Sequence, residues 1–297
     1  MSLRVSALNA ALRLFERRFL SRVTDPVEAR EAFARKARIL FRPDKSVPVA
    51  EGRLGALECL EIGASSAGVL LYFHGGAYIF GSPRTHAAML AKLSKMTGMQ
   101  AVLPDYRLAP DAPFPAAFDD AVASYEALIA RGVAPNDIVI GGDSAGGGLA
   151  LALLGHICAK ALPQPRGCFA LSAYTDMRNS GPSVTGNAAA EAILPAARMD
   201  EIGQMYLQGQ DAGDPRASPI YADFSGACPV YLAASLDEIL LDDSRRLATR
   251  MRDVGGEVHL HLRSQMPHVW HMFHRYLPQA GDDLAHLSGW IKTLSRR

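Results

Sequence analysis

The sequence has almost no net charge, few cysteines and no long apolar run. Its 31 Lys and Arg residues nearly balance its 30 Asp and Glu residues, which leaves a net charge of +1. A chain without an excess of positive charge lacks the electrostatic pattern of a nucleic-acid binder, so we expect no nucleic-acid partner. The four cysteines follow neither disulfide nor metal-ligand spacing, which favours free thiols in a reducing compartment.

Membrane and export signals are also missing. No stretch is long and apolar enough to span a bilayer, so we expect no stable membrane insertion. The N-terminus lacks the basic start, apolar centre and cleavage site of a secretory signal, and we expect a cytoplasmic protein. Residues 3–22 are amphipathic with a basic side, a pattern that favours a helix packed on the main domain over one lying on an anionic membrane.

The sequence does contain ample apolar material, 49% of its residues, arranged in short runs. These runs predict strands that alternate with helices along most of the chain. Such alternation predicts an α/β protein with a mostly parallel sheet covered on both faces, and ligands bind such sheets at the carboxyl ends of the strands. Residues 47–62 are predicted to form a hairpin that turns at Glu51–Arg53. The predicted parallel strands are 68–73, 100–104, 138–140, 168–172, 230–235 and 258–262.

One short motif joins a predicted strand, 138–140, to a predicted helix, 145–161. Gly142, Ser144 and Gly146 occupy the fixed positions of Gly-x-Ser-x-Gly. Residues without side chains let the strand and helix approach closely, and the turn leaves the serine at its apex beside the helix N-terminus. Ser144 is therefore the candidate nucleophile. A serine hydroxyl needs a base within hydrogen-bond reach and a third group that orients the base.

An acid and a histidine follow successive strands in the C-terminal third. The strand 230–235 precedes Asp237 and Glu238, and the strand 258–262 precedes His268. We expect His268 to be the base, while position alone leaves both Asp237 and Glu238 open as the acid. The order serine, acid, histidine excludes a chymotrypsin-like protease, in which the histidine and the acid precede the serine.

A second glycine motif, His-Gly-Gly-Ala at 74–77, ends the predicted strand 68–73 at the same edge of the sheet. Acyl transfer to water creates negative charge on a carbonyl oxygen, and backbone N–H groups stabilise that charge when no side chain blocks their approach. We expect the N–H groups of Gly75, Gly76 and Ala145 to form this oxyanion hole.

Several other histidines lie near His268 in the sequence. His259 and His261 share the polar face of the predicted strand 258–262, where solvent or an interface is expected. His271 and His274 follow His268 at helical spacing. No carboxylate joins these histidines at a recognisable ligand spacing, so no metal site is predicted.

Taken together, the motifs resemble those of the hormone-sensitive-lipase-like branch of the α/β-hydrolases, also called bacterial esterase family IV. This resemblance implies an α/β-hydrolase fold, with a mostly parallel eight-stranded sheet, helices on both faces and a helical cap. It also implies a serine carboxylesterase that needs no cofactor and hydrolyses short- to medium-chain acyl esters. The matching segments are His74–Ala77, Asp105–Pro110, Phe114-Pro115 with Asp119-Asp120, Gly142–Gly147 and Asp237–Ser244.

The same resemblance implies how the chain is divided. The cap would comprise residues 1–45 and 177–225, and the core residues 46–176 and 226–297. Apolar side chains of the cap would form the acyl pocket, together with aromatic residues beside the oxyanion and histidine loops. The expected pocket residues are Ile202, Met205 and Tyr206, with Tyr78 and Trp270 beside those loops, and the cap also carries Ile193, Leu194 and Leu207.

Alignment with the acid motif of the family places Glu238 at the catalytic position, with Asp237 as the alternative. The sequence departs from the family at Ala77, where a third glycine is usual, so we expect an intact oxyanion hole beside a narrower pocket. The resemblance also suggests a homodimer that pairs through the edge strand 257–263. An amidase or formamidase on the same triad is the alternative activity, and a non-catalytic small-ligand receptor is the alternative outside enzymes.

Overall fold

A computed structural model describes residues 2–295, which form an eight-stranded sheet with the order β1-β2-β4-β3-β5-β6-β7-β8. Met1, Arg296 and Arg297, at the ends of the predicted cap and core segments, lie outside the described residues. The pairs β1–β2 and β2–β4 are antiparallel, and the other neighbouring strands are parallel. The strands are Val49–Leu54, Leu57–Ile62, Val69–Phe73, Gln100–Pro104, Ile138–Asp143, Gly167–Leu171, Val230–Ser235 and Val258–Arg263.

Helices cover both faces of the sheet, as predicted. On β3, Leu71 and Phe73 join one hydrophobic cluster, while Leu70 and Tyr72 join the other. Successive side chains of a strand point to opposite faces, so each face has a core of its own. The helices, α1 to α10, are Leu3–Ala11, Arg18–Leu20, Pro26–Leu40, Pro83–Thr97, Ala116–Ala130, Ser144–Ala159, Ser183–Gly186, Met199–Leu207, Leu241–Asp253 and Pro278–Thr293.

The first hairpin turns at a different place from the one predicted. Leu54 pairs with Leu57, which leaves Gly55 and Ala56 as a two-residue turn, and Gly52 lies within β1 opposite Cys59. Gly55 has a φ of +62°. Tight hairpin turns need residues that tolerate positive φ, so the turn forms at Gly55 rather than at Glu51–Arg53.

The N-terminal helix packs on the rest of the chain, which confirms the prediction for residues 3–22. A π-helical turn, Leu12–Arg17, continues α1 directly into α2. Arg17 donates to the carbonyl oxygens of Ala188 at 2.8 Å and Glu191 at 3.0 Å, and Arg13 donates to that of Ala190. The basic side of this helix therefore binds backbone carbonyls of a later segment of the chain. No helix among residues 2–295 combines the length and apolarity needed to cross a bilayer.

Candidate active site

Ser144 lies at the apex of the turn between β5 and α6. Its φ of +51° is in the left-handed region, which is strained for a residue with a side chain. A Cβ on Gly146 would lie 2.1 Å from the carbonyl oxygen of Phe73, and one on Gly142 would lie 2.2 Å from that of Gly146. The two glycines are needed because backbone atoms occupy the space a side chain would fill. The close approach of these backbone segments to one another places Ser144 at the carboxyl edge of the sheet.

A chain of hydrogen bonds connects the serine to the predicted base and acid. The distance from Ser144 Oγ to His268 Nε2 is 2.9 Å, and that from His268 Nδ1 to Glu238 Oε2 is 2.6 Å. His268 lies after β8 and Glu238 after β7, so neighbouring parallel strands bring them to one edge of the sheet. Short contacts of this kind are expected between an imidazole and an ionised carboxylate.

The structure distinguishes the two adjacent acids. Glu238 is 1% exposed, and its second oxygen, Oε1, accepts from the Ser235 N–H at 2.7 Å and the Ser172 hydroxyl at 3.0 Å. Asp237 is half-buried and instead accepts from the Gln265 N–H. The carboxylate that contacts the imidazole is therefore that of Glu238.

Ser172, at the end of β6, is a site residue that the sequence analysis missed. Its hydroxyl donates to Glu238 and accepts from the Val269 N–H at 3.1 Å. One side chain thus fixes both the acid and the residue that follows the histidine. The only signal in the sequence was its position at the end of the predicted strand 168–172. That position does not distinguish a site residue from any other serine at the end of a strand.

Glu191 is a second buried carboxylate that sequence reasoning missed. It is 1% exposed and accepts from the N–H groups of Ile193 at 2.8 Å, Leu194 at 3.2 Å and Ile239 at 3.1 Å. Burial raises its pKa. Since Ile239 follows Glu238 in the chain, this carboxylate joins the loop that carries the acid to the segment that carries Ile193 and Leu194.

The electrostatic surroundings of His268 favour its charged form. Burial alone would lower its pKa, but the hydrogen bond and charge of Glu238 outweigh burial, and Glu191 and Asp143 add to the effect. The pKa of His268 is therefore raised above its ordinary value of 6.5. An imidazole in this environment accepts a proton readily, which is what the partner of a reacting hydroxyl must do.

One predicted oxyanion donor, Gly75, is corrected by the structure of residues 74–77 after β3, called here the glycine loop. The Gly75 N–H donates to Asp143 Oδ1 at 3.0 Å, so it is not free to bind a substrate oxygen. A Cβ at this position would lie 2.2 Å from Asp143 Oδ2, which gives Gly75 a different reason to be glycine. The N–H groups of Gly76 and Ala77 have no acceptor within residues 2–295. The Ala145 N–H belongs to the first turn of α6, where helical N–H groups lack an intrahelical partner.

An apolar cavity of about 140 Å³ opens beside Ser144 and His268. Its walls come from the glycine loop, from the N-terminal helices and from the segment around Ile193. This volume is close to that of an engineered cavity of about 150 Å³ that binds benzene. The apolar side chains lining it include Leu12, Leu20, Phe33, Leu40, Ile193, Leu194, Met272 and Phe273.

Two of the predicted pocket residues lie in a neighbouring cavity. Ile202 and Met205 line a smaller space of about 60 Å³, which shares Leu20, Ala77 and Leu194 with the cavity at Ser144. These shared residues lie between the two cavities. The helical spacing of Ile202 and Met205 in the sequence does not reveal that arrangement.

The three aromatic residues predicted for the pocket do not line the cavity at Ser144. Tyr78 and Tyr206 are 1% exposed and stack on each other with ring centroids 3.9 Å apart. Trp270 is fully buried, and its indole N–H donates to Asp283 at 2.8 Å. These predictions are corrected: the three aromatic side chains contribute to the core, because stacking stabilises Tyr78 and Tyr206 there and a buried hydrogen bond stabilises Trp270.

Comparison with known proteins identifies the family. A family model described as alpha/beta hydrolase fold matches residues 70–272. The chain belongs to this family. An acetyl-hydrolase of Streptomyces hygroscopicus is 35% identical over 224 residues, 75% of each chain. An esterase of Acinetobacter venetianus is 34% identical over 258 residues, 86% of this α/β-hydrolase and 85% of the relative.

Solved structures agree with this relationship along almost the whole chain. The crystal structure of an esterase from the bacterial hormone-sensitive lipase family has a TM-score of 0.93, 33% identity and 99% coverage of both chains. That of EstE5 has a TM-score of 0.93, 31% identity and 98% coverage of both chains. The predicted α/β-hydrolase fold and the resemblance to the hormone-sensitive-lipase branch are confirmed.

The surroundings of His268 predict how it titrates. We expect a pKa above 6.5 in the unmodified α/β-hydrolase and a lower value in the Glu238→Gln variant, because the stabilising charge is removed. Proton NMR of the imidazole C–H signals between pH 5 and 9 measures both, and His268→Ala assigns the signal. Asp237→Asn serves as the matched control and leaves the titration in place. An equal fall in both carboxylate variants would contradict the assignment of Glu238.

Proposed function

We propose that this chain is a serine carboxylesterase that hydrolyses short- to medium-chain acyl esters through an acyl-enzyme intermediate. The observation that carries the proposal is the hydrogen-bonded series Ser144, His268 and Glu238 at the wall of an apolar cavity. The esterase and acetyl-hydrolase relatives support the same reaction class. Those relatives do not support an amidase, a formamidase or a non-catalytic receptor, the alternatives raised by the sequence.

In the proposed reaction, Ser144 Oγ attacks the ester carbonyl while His268 Nε2 takes the hydroxyl proton. Glu238 accepts from Nδ1–H, which keeps the lone pair of Nε2 directed at the serine and stabilises the imidazolium that forms. The tetrahedral intermediate expels the alcohol, which receives its proton from His268. A water molecule then attacks the acyl-enzyme, again with His268 as the base, and releases the acid and free Ser144.

The proposed oxyanion donors are the N–H groups of Gly76, Ala77 and Ala145. The free N–H groups of the glycine loop and the helical position of Ala145 support this set. Each preorganised donor contributes about 3 kcal/mol to stabilising the transition state. Gly75 is proposed to act indirectly, because its bond to Asp143 holds the loop in place.

Residues 1–45 and 177–225 are proposed to form a cap whose apolar inner side binds the acyl group. Contacts between the two segments support this unit: Arg198 donates to the carbonyl oxygen of Leu20 at 2.8 Å and also to that of Val23. Both segments contribute to the cavity wall beside Ser144. An apolar cavity of this size favours short and medium acyl chains over long ones.

Replacing the proposed nucleophile tests the function directly. We expect Ser144→Ala to lower hydrolysis of p-nitrophenyl butyrate by about 10⁴-fold or more, since the attacking oxygen is lost. The unmodified chain should release p-nitrophenol in a burst of one equivalent per active site.

A panel of p-nitrophenyl esters from C2 to C12 with matching anilides defines the substrate class. Esters of short and medium length should have the highest kcat/KM. Full activity of Ser144→Ala would overturn the serine mechanism, and faster cleavage of anilides than of esters would favour an amidase.

The choice of acid has its own test. We expect Glu238→Gln to lower kcat by about 10³- to 10⁴-fold, because an amide cannot stabilise the imidazolium, while Asp237→Asn stays within a few-fold of the unmodified enzyme. Stopped-flow measurement of acylation with p-nitrophenyl butyrate compares the two. Loss of activity in Asp237→Asn with retention in Glu238→Gln would reverse the assignment.

We propose a cytoplasmic location and, through β8, a homodimer. The four cysteines are free thiols, which suits a reducing compartment. The strand β8, Val258–Arg263, is the last in the sheet order, and the unpaired backbone groups of an edge strand are able to pair with a second copy.

The dimer is tested by light scattering of the eluted chain. We expect twice the mass of one chain. Leu260→Pro should give the single-chain mass, because proline removes an N–H at the strand edge. A monomer over the micromolar range in the unmodified protein would rule the dimer out.

A further inference from the structure

Three histidines lie close together on the face of the sheet near its last strand, β8. They are not among the residues that line the cavity at Ser144. His259 and His261 lie on β8, and His286 lies on α10. Each offers one ring nitrogen such that the three atoms lie within 4.8 Å of one another. In sequence, His259 and His261 lie near the histidines that follow β8, whereas His286 is brought to them only by the fold, from the C-terminal helix.

Two of the rings have a hydrogen-bond partner on one of their nitrogens. His261 Nε2 lies 3.1 Å from Asp283 Oδ1, and His286 Nδ1 lies 2.9 Å from the Tyr231 hydroxyl. These contacts leave His261 Nδ1 and His286 Nε2 as the free ring nitrogens. Histidines that bind metals almost always have such a partner on the nitrogen that does not bind, because the partner fixes the tautomer and the direction of the ring.

The partner carboxylate is itself held firmly. Asp283 is 2% exposed, also accepts from Trp270 Nε1 at 2.8 Å and forms an ion pair with Arg263, whose Nε lies 3.1 Å from Asp283 Oδ2. Arg263, the cation on the same strand, is therefore paired with a carboxylate beside the cluster. The ring of His259 stacks on Tyr231 with centroids 4.9 Å apart and an interplanar angle of 12°. One tyrosine thus supports two of the three imidazoles.

We propose that His259, His261 and His286 bind one divalent transition-metal ion, with a fourth position open to water. Three imidazole nitrogens suit Zn²⁺, Co²⁺, Ni²⁺ or Cu²⁺, whereas Mg²⁺ and Ca²⁺ prefer oxygen ligands. Zinc–nitrogen bonds of about 2.0–2.1 Å set tetrahedral ligand atoms about 3.4 Å apart. His259 and His286 are exposed, so small side-chain rotations are able to close the remaining gap.

The ion would connect the edge strand β8 to the C-terminal helix α10. Since β8 leads into the loop that carries His268, binding there would stabilise the frame of the active site without taking part in the reaction. A metal ion that binds the folded chain but not the unfolded chain raises the midpoint of thermal unfolding, and the rise follows the logarithm of the metal concentration.

The experiment uses the full chain without an affinity tag, titrated with ZnCl₂ in a calorimeter and with CoCl₂ in a visible spectrometer. We expect one Zn²⁺ per chain, a Co²⁺ spectrum of tetrahedral type and a rise in the thermal midpoint. His286→Ala should lower the affinity by about 100-fold, and Tyr231→Phe by about tenfold through the lost contact to the ring. His156→Ala, a half-buried histidine on α6, is the matched control and should bind like the unmodified chain.

His268→Ala separates this site from the active site, and it should bind Zn²⁺ unchanged. Binding that is lost in His268→Ala and retained in His286→Ala would overturn the proposal. So would the absence of binding in the unmodified chain, or a stoichiometry of one ion per two chains, which would mean a site shared between copies. Circular dichroism of each variant checks that it is folded, and His286→Gln replaces His286→Ala if the latter is not.

Discussion

The buried carboxylate of Asp143 holds together two glycine-containing segments of the active site, residues 74–77 after β3 and residues 142–147 at the end of β5. It lies directly before Ser144, and its Oδ1 accepts from the Tyr72 hydroxyl at 2.7 Å and the Gly75 N–H at 3.0 Å, with His86 Nε2 at 3.3 Å. Burial alone would raise the pKa of Asp143, but the charge and hydrogen bond of His86 and the hydrogen bond of Tyr72 outweigh burial and lower it, with a smaller contribution from His74. Each buried donor left without its acceptor would cost about 1–3 kcal/mol, so the loops on β3 and β5 are fixed relative to each other.

A second set of contacts fixes Glu238 and the backbone after His268 in the same way. Ser172, between the strands that carry Ser144 and Glu238, contacts both Glu238 and the backbone after His268. Glu191 extends the set to the cavity wall through Ile239, Ile193 and Leu194. The shape of the cavity and the position of Glu238 therefore depend on the same buried groups, because hydrogen bonds of Glu191 join the loop after β7 to the segment that carries Ile193 and Leu194.

The fold class and the three residues of the series could be predicted because each signal is local. A strand, a glycine turn and an apolar helix identify Ser144, and a strand end identifies His268. The end of the strand 230–235 leaves Asp237 and Glu238 open, and the acid motif of the family selects Glu238. The roles of Gly75 and Trp270 could not be predicted in this way. Each is decided by a buried carboxylate distant in sequence, Asp143 for Gly75 and Asp283 for Trp270. Local pattern shows that a glycine or an aromatic residue is needed, but not which partner requires it.

The carboxylates around His268 balance two opposing requirements. Glu238, Glu191 and Asp143 all favour the imidazolium and so raise the pKa of His268. In the proposed reaction a higher pKa makes proton transfer from Ser144 easier, but it also leaves more of His268 protonated at acidic pH. Burial opposes the charge, and it raises the pKa of Glu191, which weakens that carboxylate as a source of negative potential. Burial thus acts against both the imidazolium and the second carboxylate, while Glu238, which contacts His268 directly, accepts hydrogen bonds from two donors of its own.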